Sequence, residues 1–265
     1  MASSSQSVTN DRLTSEEYEK FEQDGYLILR NLCPESLRQE MLAATKDGLS
    51  RVVEPVEYEA DVEYPGSPQS RNVMGGETVR RLLQSHSRGM CFTDLINHPA
   101  LVGRLAQLLG PDYVMPLAHH NCVMTKQPEF SSDTMWHQDI RFWSFERKEL
   151  ISVWVALGEE NQENGCLKVI PGTHRMEFDS HRLDERIFLR PDVPENQGLI
   201  NTSVSAELHP GDVLFFHCRT FHAATRNFTN QPKFSAVYTF RPADNPPVSG
   251  SRSASLPELI IHTTR

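Results

Sequence analysis

The chain has 265 residues, 38% hydrophobic and 23% charged, with a formal net charge of −9. That composition suits one large packed domain and excludes disorder or a fibre, and the acidic excess, with no basic block, argues against a nucleic-acid binder. The five cysteines, Cys33, Cys91, Cys122, Cys166 and Cys218, are scattered and never paired as CxxC, so reduced, mostly buried thiols are expected rather than a disulfide framework or a thiolate zinc site. No apolar run approaches the roughly 18 residues needed to span a bilayer, and the opening MASSSQSVTN is too polar for a secretory signal. A cytoplasmic protein without a membrane partner is therefore expected.

Residues 1–13 read as a flexible leader and 14–265 as a single domain. Thr14 followed by Glu17 resembles a capping box, so TSEEYEKFEQDG is predicted to be a short helix stopped by Gly25. The strand YLILR should follow, and SLRQEMLAATKDGLSRVV has helical spacing at Leu37, Met41, Leu42 and Leu49. Residues 54–76 carry Pro, Gly and Glu without a period and read as a loop or lid. From 77 to 109 the pattern predicts helix again, with Gly110 as its stop.

The texture changes from about residue 113. Short β-type runs, YVMPLAHHNCVM, LISVWVAL, CLKVI, VSAEL, DVLFFHC and FSAVYTF, are each bounded by turn residues and have no amphipathic helices between them. That favours an antiparallel sandwich or barrel over a parallel α/β sheet. A long charged insert, residues 175–202, interrupts this core, and a Pro- and Ser-rich tail, 242–265, is expected to wrap the surface.

Chemistry concentrates in TMWHQDIRFW. On an extended stretch His137 and Asp139 project to one face, so an imidazole and a carboxylate can converge on one ion. By itself His-x-Asp arises often by chance, and a third ligand is needed. Two His and one carboxylate on one octahedral face leave three positions open, which is the arrangement of non-haem Fe(II) oxygenases. Downstream, His222 follows the strand DVLFFHC and is placed to face the same cavity. His217 competes with it, but alternates with Val213 and Phe215 on one face of a hydrophobic strand and reads as structural.

Several ordered motifs resemble the phytanoyl-CoA dioxygenase family, a branch of the Fe(II)/2-oxoglutarate oxygenases. EEYEKFEQDGYLILRNL is similar to its opening, WHQD to its His-x-Asp pair, VWVALGEENQENGCLKVIPGTHR to its strand, turn and Gly-rich connection, and LHPGDVLFFHCRTFHAATRN to its distal-ligand segment. Together these span about residues 14 to 241. The resemblance implies a mainly β fold with flanking helices, a double-stranded β-helix (jelly roll, cupin-like), with a helix-rich part over 14–110 and the β-helix core over 111–241. It also implies that His137, Asp139 and His222 bind Fe(II), with 2-oxoglutarate and O2 as cosubstrates.

The distal carboxylate of 2-oxoglutarate needs a cation, which in the family is usually an Arg eleven residues after the distal His. Here that position is Lys233, which supplies charge without the bidentate fork. Ser235, two residues on, is placed to add a hydrogen bond; Arg226 is the rival cation and Arg241 a more distant one. Asn121 and Trp154 lie on strands expected to line the cavity. Trp136, Phe142 and Trp143 flank the ligand pair as a substrate wall or as packing. His174, in the PGTHR turn, reads as structural, and His119 and His120 alternate, so at most one points at the site.

The implied reaction is hydroxylation of a C–H bond of a small molecule, with 2-oxoglutarate converted to succinate and CO2. Related halogenases carry a small residue at the carboxylate position, whereas this chain keeps Asp139. The competing readings are a non-catalytic metal-binding or sensory β-helix protein, which Lys233 in place of Arg favours, and a zinc hydrolase, for which no clear general base is present. Residues 54–76, the 175–202 insert and the tail are expected to choose the substrate.

Overall fold

The structure, a computed structural model, describes residues 11–261. It opens with helix α1 (Ser15–Asp24), strand β1 (Tyr26–Leu29) and helix α2 (Glu35–Ser50), followed by β2 (Val56–Tyr58), β3 (Val79–Leu83), α3 (Met90–Ile96) and α4 (Pro99–Leu109). Strands β4 (Tyr113–Pro116), β5 (Asn121–Lys126), β6 (Thr134–His137), β7 (Ile151–Ala156) and β8 (Leu167–Val169) come next. After α5 (Pro194–Ile200) the chain completes the sheets with β9 (Val204–Ala206), β10 (Val213–His217), β11 (His222–Ala224), β12 (Lys233–Pro242) and β13 (Glu258–Ile261).

Two antiparallel sheets face each other in a jelly roll. The larger runs β1-β10-β7-β12-β5-β3-β2, with β4 and β13 joined to it through β12; the smaller runs β6-β11-β8-β9. The central strands β10, β7 and β12 of the larger sheet are buried on both faces, which is why they read as nearly unbroken apolar runs. On β10, Val213 and Phe215 pack with Phe21, Met41, Phe92 and Leu105 from the helices, while Leu214 and Phe216 face the smaller sheet with Leu167 and Val169. The same alternation on β12 sends Phe234, Ala236, Tyr238 and Phe240 to the helices and leaves Lys233, Ser235 and Val237 on the inner face. A fully buried Phe215 contributes roughly 1.5–3 kcal/mol by its burial alone.

The first helix forms as its sequence predicts. Thr14 accepts from the Glu17 backbone and Glu17 returns a bond to Thr14, while Gly25 caps the other end at φ 75°. A Cβ at Gly25 would lie 2.2 Å from His174 Nδ1 and 2.7 Å from Thr220 Oγ1, so this close approach admits only glycine. The Gly25 carbonyl accepts from His217 N at 2.9 Å and Thr220 Oγ at 2.7 Å, which joins the opening helix to the segment carrying His222.

The fold corrects three expectations. Residues 79–83 lie within the stretch read as helical but form β3, paired with β5 through Arg81↔Met124 and Leu82↔Val123. Their pattern misleads because Arg80 is buried, held by Glu57 and Glu59 and by Ser132. Leu13, assigned to the leader, is buried and accepts from the Gln107 side chain; residues 1–10 lie outside the described residues. The tail does more than wrap, since β13 pairs with β4 and Glu258 holds Arg241. All five cysteines are free and buried. Among the described residues no helix is long and apolar enough to cross a membrane.

Candidate metal centre and active-site cavity

Strand β6 ends at His137 and β11 begins at His222, and the two residues are direct partners in the antiparallel register. Asp139 does not sit on the strand. Gln138 keeps extended geometry, so residues 137 and 139 leave on one side, but Asp139 opens a 3-10 turn that ends at Phe142. The turn brings the carboxylate inward against both imidazoles, with Asp139 Oδ1 3.8 Å from His137 Nε2 and 3.6 Å from His222 Nε2.

The backbone fixes the tautomers. His137 Nδ1 donates to the Met135 carbonyl at 2.8 Å and His222 Nδ1 to the Thr220 carbonyl at 3.0 Å, because a carbonyl only accepts. Each Nε2 therefore turns a lone pair toward Asp139. Burial and the neighbouring His222 push the His137 pKa well below its ordinary value, which keeps that ring neutral. Burial opposes charge on Asp139, yet its pKa is held below the usual carboxylate value, and the Ser152 hydroxyl, 2.9 Å from Oδ2, donates to the charged form.

Three buried acceptor atoms thus lie within 4.8 Å of one another. Lone pairs so placed repel unless a cation stands between them, and two imidazoles with one carboxylate on one face suit Fe(II) with open positions. His217 is elsewhere. Its Nδ1 accepts from the Arg219 backbone, its ring lies 5.5 Å from that of His174, and burial pushes its pKa down to about 3.

A cavity of 560 Å³ opens beside the triad, within the range of small-molecule sites. Asn121, Trp143, Trp154 and Lys233 line it, as do Phe142 and His120. Asn121 has its amide engaged by Ser85 and His86. Both His119 and His120 line the cavity, because they occupy the turn between β4 and β5 rather than an alternating strand. Three expected contacts are corrected, the first being Ser235, which lies outside the cavity wall with its hydroxyl donated to Glu160. Arg226 is not in the cavity wall; its guanidinium pairs with Asp133 at 2.7 Å, with a third of its side chain exposed. Trp136 projects away from the cavity and packs with Ile170, Leu189 and Phe221.

Lys233 carries the largest surprise. Its Nζ lies 3.0 Å from Glu160 Oε2, with the two side chains 2% and 0% exposed. Ser235 Oγ donates to Glu160 Oε1 at 2.6 Å, and Trp154 Nε1 donates to both oxygens at 3.0 and 3.1 Å. Sequence reasoning missed Glu160, since nothing separates it from its exposed neighbours Glu159 and Glu163 in a polar turn. It also missed Lys126, the register partner of Lys233, and left open whether His119 or His120 reaches the site; His120 Nδ1 lies 3.5 Å from Asp139 Oδ2.

Relatives of known activity share this architecture. Ectoine dioxygenase of Bordetella parapertussis is 24% identical over 252 residues, covering 89% of this chain and 77% of the relative. The human peroxisomal phytanoyl-CoA dioxygenase is 23% identical over 256 residues, covering 89% and 71%. Among solved structures, EctD from S. alaskensis with 2-oxoglutarate and 5-hydroxyectoine superposes with a TM-score of 0.72 at 22% identity, covering 91% of this chain and 80% of that one. The alpha-ketoglutarate-dependent carbocyclase SnoK from nogalamycin biosynthesis gives 0.71 at 18% identity, covering 94% and 96%. The sequence model of the phytanoyl-CoA dioxygenase family matches residues 21–235, and the chain belongs to that family of Fe(II)- and 2-oxoglutarate-dependent dioxygenases.

Proposed function

We propose that the chain hydroxylates a C–H bond of a small molecule, with His137, Asp139 and His222 as the iron ligands. The observation that carries this reading is the buried triad of acceptor atoms with both Nδ1 protons tied to the backbone. Bound Fe(II), with 2-oxoglutarate and O2, supplies the oxidation of the C–H bond and the release of succinate and CO2. The chain's own residues bind, orient and exclude water. Ser152 holds the Asp139 carboxylate, and Trp143 and Phe142 line the cavity wall. Lys233 presents the polar end of the cosubstrate subsite, with Trp154 beside it and Ser235 behind it.

Arg186 and Arg252 also line the cavity, which supports a substrate bearing an anionic group. One observation favours the second reading, a metal-binding protein without turnover: the lysine expected to bind cosubstrate is already paired. Succinate formation separates them. Protein loaded with Fe(II) without oxygen, given 2-oxoglutarate and a library of small carboxylates and phosphates, should release succinate on exposure to air. Succinate at the level of a protein-free control for every compound would defeat the hydroxylase reading.

A further inference from the structure

We propose that Glu160 sets how strongly the enzyme depends on the distal carboxylate of its cosubstrate. It does so by standing as a resident carboxylate in the donor set that would otherwise bind that group. The inference rests on the reading that Lys233 faces the cosubstrate.

Three donors from two adjacent strands converge on Glu160: Lys233 Nζ and Ser235 Oγ from β12 and Trp154 Nε1 from β7. An ammonium, a hydroxyl and an indole N–H around one carboxylate form the kind of set that binds the far end of a dicarboxylate. Glu160 is fixed there by its backbone, which exchanges bonds of 2.8 and 2.9 Å with Leu208. Lys233 and Trp154 line the cavity and Glu160 and Ser235 do not, so the carboxylate and the hydroxyl stand behind the lysine as seen from the metal ligands. Lys126, the register partner of Lys233, also lines the cavity but points its Nζ at the Ser132 carbonyl, 2.8 Å away.

The electrostatic consequence is direct. A buried lysine without a counter-ion discriminates strongly in favour of a ligand with a charged end, whereas a lysine already neutralised presents a near-neutral pair. A second carboxylate arriving at that pair must share the ammonium and meets Glu160 at close range. An oxo acid of the same length with an uncharged end loses nothing by comparison, since its chelating end is identical. The subsite thus accepts both.

The probes are 2-oxoglutarate and 2-oxopentanoate, titrated without oxygen into Fe(II)-loaded protein and followed by calorimetry and by the visible absorption of the chelate. In the wild type the two dissociation constants should differ by less than about tenfold. Glu160→Gln should tighten 2-oxoglutarate by at least about tenfold and move 2-oxopentanoate by less than about threefold. A wild-type preference for 2-oxoglutarate of about a hundredfold or more overturns the proposal, as does a Glu160→Gln protein that binds it no tighter. Should Glu160→Gln fail to fold, the wild-type ratio decides alone. Adding Lys233→Ala to Glu160→Gln should erase the gain; a gain that survives instead defeats the placement of Lys233, which tells failure of the underlying reading apart from failure of this one.

Discussion

His137 and His222 face each other across the β6–β11 pair with ring centroids 4.2 Å apart, so one hydrogen-bonded register sets the spacing of both imidazoles. Replacing either, or Asp139, by Ala should remove iron binding and turnover while leaving a folded protein. His217→Gln should keep a full complement of iron, because that ring faces His174. Iron content after desalting, with circular dichroism as the control for folding, checks both statements. Equal iron loss in His217→Gln and His222→Ala would reverse the choice of distal ligand.

Lys233→Ala leaves the Glu160 carboxylate buried with its ammonium gone, and breaking a buried pair on one side typically costs about 3–5 kcal/mol. The double change Lys233→Met with Glu160→Gln removes both charges and should recover most of that loss. Urea denaturation of the wild type and of both variants gives the comparison. A single variant as stable as the wild type would mean that the pair relaxes into solvent.

Lys126 makes stability depend on pH. Burial first, then Arg80 and Lys233, lowers its pKa to about 7, against 10.5 for an ordinary lysine. Between those values the unfolded chain holds a proton that the folded one has released, so stability from this group rises with pH from about 7 to about 10. The slope is at most about 1.4 kcal/mol per pH unit. Lys126→Met should flatten that rise relative to wild type and raise stability at neutral pH. Denaturation midpoints at a series of pH values across the window test it; parallel curves would contradict the burial of a titrating ammonium.

Gly165 has φ +78°, and a Cβ there would lie 2.3 Å from the Thr225 carbonyl and 2.9 Å from Lys126 Cδ. Gly165→Ala should therefore cost more than about 1 kcal/mol. Thr225 directly follows β11, so the push reaches the strand that begins at His222, and iron affinity should fall along with the melting temperature. A variant with an unchanged melting temperature would show that the turn has room.

The sequence makes the candidate triad readable because its parts are local or follow a strand: His137 and Asp139 lie in one tetrapeptide, and His222 follows an apolar run bounded by turns. Thr14, Glu17 and Gly25 declare the first helix by side chains that act within one turn. The unreadable parts depend on distant partners. Arg80 and Arg81 look like a helix surface until Glu57 is brought beside them, which hides β3. Glu160 looks like any turn glutamate until β12 places Lys233 and Ser235 over it. Arg226 looked available as a cation because Asp133, 93 residues earlier, gave no local sign of pairing with it.

The carbonyl-held tautomers of His137 and His222 have a consequence for which ion the protein carries. A face of two imidazoles and a carboxylate, its rings oriented by backbone carbonyls, offers nitrogen and oxygen donors that many divalent ions accept, and so selects weakly by identity. First-row divalent ions bind such nitrogen and oxygen donors in an order that places Fe(II) below cobalt, nickel and copper. On the proposed ligand assignment, iron loading is governed by which metals the surroundings offer and in what amounts, and protein exposed to traces of nickel or copper should fill with an ion that does not support the oxidation.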